Sequence, residues 1–430
     1  MKEYIGAEAI LEKKKKYIMP CLGHFYREPR QIVRGSMQYL FDSEGSKYLD
    51  CFAGVSVINC GHCNPEITEK VTKQIETLQH VCNIYLTENF VNLAEKLAEV
   101  TPGDLQKSFF CSTGTEATEG AALLATIHTG SSEFIALRNG LHGRTKLTMS
   151  LTGIGMWRTD PNPVGGIQFA PNPYCYRCPL GKTHPECGLA CADEVETIIR
   201  TATSGRPAAF IAESIQGNAG IIVPPKGYFQ RVKEIISSYG GLFIADEVQT
   251  GFARTGRMFA IEHAGVVPDI MCVAKALGNG QPISAFIASA KVADSYTKPG
   301  ASTLGGNPVS STAGLAVLNY IEEHHLAENA EARGKQLRKG LAEIQKRHPI
   351  IGDIRGLGLM TGAEFVHSDK RPAPEELDTV LEELKDRGFI VGKNGVARNV
   401  MAFQPPLIIT EENINDVLDA LEQVLVKFKL

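Results

Sequence analysis

The sequence predicts an α/β protein: a large domain on a mainly parallel sheet, then a smaller α+β domain. Three observations lead there. Between residues 105 and 310, short apolar runs alternate with helical patterns, as in a parallel sheet covered on both faces. Beyond 310 long helical stretches take over, with few strand candidates. Finally, 430 residues exceed the size at which one hydrophobic core keeps growing, so at least two domains are expected.

The apolar runs are SFF (108–110), FIAL (134–137), AAFIAES (208–214), GLFIADEV (241–248), DIMCVAK (269–275) and SAFIAS (284–289). Their length and bounds fit buried strands. Helical periodicity fills the gaps, as in EATEGAALLATI (116–127) and GYFQRVKEIISSYG (227–240). Later, STAGLAVLNYIEEHHL and ENAEARGKQLRKGLAEIQKR read as helices. IRGLGLMTGAEFV (354–366) and MAFQPPLII (401–409) read as strands. No tandem repeat or low-complexity linker is present.

Composition narrows the function. With 43% hydrophobic and 21% charged residues and a net charge of −4, there is no electrostatic case for nucleic acid or an anionic membrane. The one basic cluster, KKKK at 13–16, reads as the solvated face of an N-terminal helix. No uncharged apolar stretch reaches the roughly 18 residues that span a bilayer. The first residues lack the apolar core of a signal peptide. A cytoplasmic protein is expected, with its eleven cysteines mainly reduced. Four of them, Cys175, Cys178, Cys187 and Cys191, lie close together around His184. That group reads either as a zinc site or as a Pro-rich loop with incidental thiols. The second spacing, C-x-x-x-C, departs from a zinc ribbon and favours the loop.

The chemistry starts from FIADEVQ (243–249), an apolar strand ending in two carboxylates, which is costly unless a positive partner waits there. Magnesium on a nucleotide would require a P-loop. The only GKT, at 181–183, lacks the first glycine and the preceding strand. A different cradle exists in STGTEATEGAALLA, where small residues open a helix whose free N–H groups and dipole favour phosphate. Lys275 ends another apolar strand, and poor solvation there lowers a lysine's pKa and makes it a nucleophilic amine. A phosphate cradle, a strand-end Asp and a strand-end Lys are the partners that pyridoxal 5′-phosphate requires at its phosphate, ring nitrogen and aldehyde carbon.

These residues sit in motifs that closely resemble the class III pyridoxal-phosphate aminotransferases of fold-type I. The resemblance runs nearly end to end, through YLDCFAGVSVINCGHCNPEI (48–67), FCSTGTEATEGA, NGLHGRT (139–145), FIAESIQGNAG (210–220), FIADEVQTGFARTG (243–256), MCVAKALGNGQP (271–282) and STLGGNPVS (302–310). It implies Lys275 as the cofactor-bearing lysine and Asp246 as the partner of the ring nitrogen. Val248 and Leu141 are expected against the ring faces, His142 beside the cofactor and Gln249 near the ring oxygen. Gly114 and Thr115 are expected at the phosphate. Thr303 is expected to reach the phosphate of a neighbouring subunit, in a homodimer or a tetramer built from it. Arg144 matches a substrate-carboxylate arginine of members acting on GABA and acylated ornithine.

The resemblance also implies a division into residues 1–50, packing with the small domain, 51–310 as the cofactor-binding domain, and 311–430 as the small domain. Leu141 replaces the family's usual aromatic, and Ser214 a usual proline. Ala402 stands where many members carry an acceptor-binding arginine, and Asn218 where ω-amino relatives carry a glutamate that masks it. Both halves of that ion pair are absent together, which leaves no uncompensated buried charge. Arg398 is a second candidate for a substrate carboxylate. The expected activity is amino transfer from an ω-amino acid or amine to a small keto acid. Elimination from a phosphorylated amino alcohol, or racemisation of an amino acid, is the alternative.

Overall fold

A computed structural model describes residues 4–427. Its largest sheet has seven strands, in the spatial order Leu105–Cys111, Ser284–Ser289, Ile270–Val273, Leu242–Asp246, Ala209–Glu213, Phe134–Leu137 and Ile167–Ala170. Ser284–Ser289 runs antiparallel to both of its neighbours, and the remaining pairs are parallel. The five strands from Ser284–Ser289 across to Phe134–Leu137 are buried along their whole length. Helices on both faces leave them no solvated side, which is why they read as unbroken apolar runs.

FIAL and SAFIAS coincide with strands residue for residue. SFF lies inside the longer strand Leu105–Cys111, and the other three runs shorten, with Ser214, Glu247 and Lys275 outside the ladder at their C-terminal ends. Ile167–Ala170 was not among the expected strands. It is a half-buried edge strand behind a Pro- and Gly-rich loop, with little apolar periodicity to mark it.

Two further sheets have four strands each. Ile32–Ser36, Tyr39–Asp42 and Lys47–Asp50 pair with Phe389–Ile390, which joins the N-terminal stretch to the C-terminal one. The other contains Ile351–Leu357, Met360–Phe365, Val400–Phe403 and Gly392–Asn394. IRGLGLMTGAEFV, expected as one strand, is an antiparallel hairpin. It turns at Gly358, where φ is +49° and a Cβ would lie 2.3 Å from the backbone of Thr255. MAFQPPLII stops being a strand at Phe403, because Pro405 and Pro406 cannot donate to a ladder.

Two guanidiniums tie together segments far apart in the chain. Arg254, out of contact with water, donates to the Leu359 and Pro405 carbonyls at 3.0 and 2.6 Å and to the Asn59 side chain. Arg355 donates twice to the Gly220 carbonyl, at 2.9 and 2.6 Å, and pairs with Asp353 and the buried Glu364. Among the described residues no helix is long and apolar enough to cross a membrane. KKKK lies on the helix Ala7–Tyr17, which has no buried residue.

Candidate active site

The C-terminal ends of the parallel strands open into a cleft of about 660 Å³, within the usual size of a small-molecule site. Its position follows from the sheet: ligands of open α/β sheets bind beyond the carboxyl ends of the strands. Leu242–Asp246 delivers Asp246, and the adjacent Ile270–Val273 leads into Lys275. Lys275 sits at the start of a short 3-10 turn with φ of +41°, a left-handed conformation uncommon for a side chain of this size. Strain of that kind is found where function fixes a residue's direction.

The carboxylate of Asp246 is held from two sides. Its Oδ2 meets Nδ1 of His142 at 2.8 Å, and its Oδ1 accepts the Val248 N–H at 3.1 Å. Burial pulls the Lys275 amine below the usual lysine range, against the opposing pull of Asp246 and Glu213. Glu213 ends the strand next to Asp246 and is its register partner. Burial pushes its carboxyl up to about 7, with the Asp246 charge adding to the rise and His142 opposing it.

Across the cleft the helix Gly114–Thr129 points its N-terminus inward, capped by Thr113 and Glu116. A Cβ at Gly114 would lie 3.0 Å from Val248, so a larger residue would crowd that side chain. The Thr115 hydroxyl accepts the N–H groups of Arg144 and Thr145 at 2.9 and 3.2 Å, which fixes the NGLHGRT loop on the helix. Gly143, with φ of +146°, passes so close that a Cβ would lie 2.3 Å from that hydroxyl. A Cβ on Gly217 would likewise lie 1.9 Å from Gln249 Oε1.

Gly114, Thr115, Leu141, His142, Arg144, Asp246, Val248, Gln249 and Lys275 therefore meet in one cleft. Arg398 is elsewhere: half-buried, its guanidinium 5.4 Å from the Phe25 ring, and not among the residues lining the cleft. Thr303 is exposed and also outside the lining. Asn218 lines the cleft, whereas Ala402 is fully buried among Phe52, Ile215, Ile221 and Met360. Glu213, Val57 and Trp157 line it too and were not among the expected site residues. For Glu213 the signal existed, an acidic residue closing an apolar strand. Val57 follows the short helix Ala53–Ser56 and Trp157 ends the 3-10 helix Gly155–Trp157, and neither is a polar residue closing an apolar run.

Glu247 faces away from the cleft, as strand alternation requires. It is fully buried and accepts from Ser214 at 2.6 Å, from the Ile261 and Ala260 N–H groups at 2.7 and 3.1 Å, and from Thr250. The hydroxyl of Ser214, at the position where proline is usual, thus serves a buried carboxylate. Cys175, Cys178, Cys187, Cys191 and His184 line a separate cavity of about 20 Å³ in an irregular loop. Among the described residues no three such side chains are placed to hold a metal ion.

A cleft with a strand-end lysine, a buried aspartate and a helix N-terminus fits a phosphorylated, carbonyl-bearing heteroaromatic cofactor. The Aminotransferase class-III family matches residues 25–425. "Alanine--glyoxylate aminotransferase 2 homolog 2, mitochondrial" of Arabidopsis thaliana is 42% identical, over 98% of this chain and 88% of that protein. "Leucine/methionine racemase" of Thermococcus litoralis is 37% identical, over 97% and 95%. Among solved structures, a phospholyase from Arthrobacter in complex with phosphoethanolamine superimposes with a TM-score of 0.89 at 31% identity, over 98% of this chain and all of that one. The chain belongs to the class-III aminotransferases.

Proposed function

We propose that this aminotransferase moves an amino group from an ω-amino acid or amine to a small keto acid such as pyruvate, glyoxylate or 2-oxoglutarate, using pyridoxal 5′-phosphate. The observation that carries this is the convergence of Lys275, Asp246 and the N-terminus of Gly114–Thr129 in one cleft. When bound, the cofactor supplies a carbonyl carbon for the amine and an electron sink for the carbanion.

The chain's own residues divide the rest. Asp246, oriented by His142, keeps a positive ring nitrogen partnered in a site shut off from water. Lys275, with its depressed pKa, bears the cofactor and then takes and returns the proton at the substrate carbon. Gly114, Thr115 and the helix N-terminus hold the phosphate. Val248 and Leu141 would hold the ring between them, and Gln249 would hydrogen-bond to its oxygen. Arg144, on the rim, takes a substrate carboxylate.

A homodimer belongs to this reading. Thr303 is exposed beside the exposed Leu304, and Ile84, Tyr85 and Leu86 form a second exposed apolar run. A partner covering these would bring Thr303 to the phosphate of its neighbour. A cytoplasmic location is supported by eleven cysteines that are all free thiols.

Borohydride reduction of the loaded enzyme, followed by peptide mass mapping, tests the site. Cofactor must be fixed on Lys275, and label elsewhere overturns the assignment. A second reading, elimination or racemisation, is favoured by the apolar burial of Ala402, which leaves no guanidinium there for a second carboxylate. Amine donors with and without keto acid separate the two. Release of ammonia or phosphate, or loss of optical activity, without an acceptor rejects amino transfer as the main activity.

A further inference from the structure

Among the described residues, Glu213 is the one buried carboxyl lining the cleft that the proposed mechanism does not use. It is 5% exposed and closes the strand Ala209–Glu213 in register with Asp246, so the two carboxyls project from the same face of neighbouring strands. Both of its oxygens are engaged. Oε1 accepts the Leu141 N–H at 2.9 Å, and Oε2 accepts the Gly217 N–H at 2.9 Å. Those two amides belong to different loops of the cleft. One carries Leu141, His142 and Arg144, and the other carries Asn218.

The second loop is pinned further. The Gly217 carbonyl accepts from Asn394 at 3.0 Å, and the Asn218 carbonyl accepts the Gly395 N–H at 2.9 Å. The Gly217 Cα also packs directly on the Gln249 amide. A shift of either loop would move a side chain that contacts ligand. We propose that Glu213 is the positioning residue of the cleft: its carboxylate, by accepting two backbone N–H groups at once, holds the Leu141 and Gly217 loops at the separation that cofactor and substrate require. This rests on the reading of the cleft as the cofactor site.

The clamp needs an ionised carboxyl, because protonation turns one of the two acceptor oxygens into a donor. The charged or titratable groups facing Glu213 are Asp246, His142 and Lys275. Burial and Asp246 favour the protonated form, and His142 opposes them, which places the titration at about 7. The clamp is therefore engaged above neutrality and released below it.

Amide hydrogen exchange on the cofactor-free protein tests the geometry by itself. After correction for intrinsic rates, segments 139–145 and 215–220 of the wild type are expected to exchange about tenfold faster at pH 6 than at pH 8. In Glu213→Gln, which has one acceptor oxygen, at least one segment exchanges fast at both pH values. Glu213→Asp keeps the charge but is one methylene shorter, and protects at most one of them. Equal protection in Glu213→Gln and wild type, or no pH dependence in the wild type, overturns the clamp. In the loaded enzyme the acid limb of kcat/KM near neutrality must disappear in Glu213→Gln. If it persists, the carboxylate does not position the reactants, and the proposal fails. Borohydride trapping at Lys275 is independent of both readouts, so loss of the cofactor reading is seen separately.

Discussion

Nδ1 of His142 lies 2.8 Å from Oδ2 of Asp246, and both side chains are shut away from water. The imidazole is a rigid donor that fixes one carboxylate oxygen and leaves the residue facing the cleft in a single orientation. Its other nitrogen, Nε2, is buried without a protein partner.

His142→Phe keeps a flat, somewhat larger ring and removes the donor. Leaving a buried carboxylate oxygen unpaired costs ~1–3 kcal/mol. A lower denaturation midpoint and weaker retention of pyridoxal phosphate on dialysis are expected. Asp246→Asn is expected to leave the fold intact while lowering kcat/KM by ~10²–10³, the usual cost of deleting a preorganised electrostatic partner.

Lys275→Met is expected to abolish covalent attachment of the cofactor, read as loss of the reduced adduct by mass spectrometry. It also has a signature without cofactor. Because the folded-state pKa of Lys275 lies below its unfolded value, the unfolded chain binds more protons in the window between them. Wild-type stability therefore rises with pH through that window, up to the ordinary lysine pKa. The variant lacks this rise, which urea titrations across alkaline pH would reveal. Identical slopes would contradict the depressed pKa.

Ser214→Ala removes the 2.6 Å donor to buried Glu247. A hydrogen bond to a charged group contributes ~1.5–3 kcal/mol, so chemical denaturation is expected to show a loss of that order. Substrate preference is expected to stay unchanged, since neither residue lines the cleft. A changed donor spectrum would contradict this purely structural role of Ser214.

Ala402→Arg places a guanidinium in an apolar cluster, and an unpaired buried charge costs ~3–5 kcal/mol. The single variant is expected to lose stability without gaining 2-oxoglutarate turnover. Adding Asn218→Glu supplies the missing partner and is expected to recover part of the loss. A double-mutant cycle on melting temperature, with KM for 2-oxoglutarate alongside, measures the coupling.

The parallel sheet and the meeting of Lys275 with Asp246 were legible because each is a polar residue ending an unbroken apolar run. That pattern is rare enough to demand a partner. Glu213 ends such a run as well, but only the register across strands sets it beside Asp246. Ala402 was legible as a missing charge and not as a buried position, since burial depends on Phe52 and Met360, far away in the chain. The hairpin at Gly358 was hidden because apolar residues flank the glycine on both sides, and only the positive φ and the approach to Thr255 reveal the turn.

The buried guanidinium of Arg254 has a practical consequence for anyone trimming this chain. Two of its acceptors, the carbonyls of Leu359 and Pro405, come from beyond residue 350. A fragment ending before that point would keep the seven-stranded sheet and the cleft residues, yet would deprive the guanidinium of these two acceptors and leave it only the Asn59 side chain. A chain cut to its first 350 residues is therefore expected to be less stable than the full one. Calorimetry is expected to record one melting event, with the C-terminal sheet and the cleft lost together.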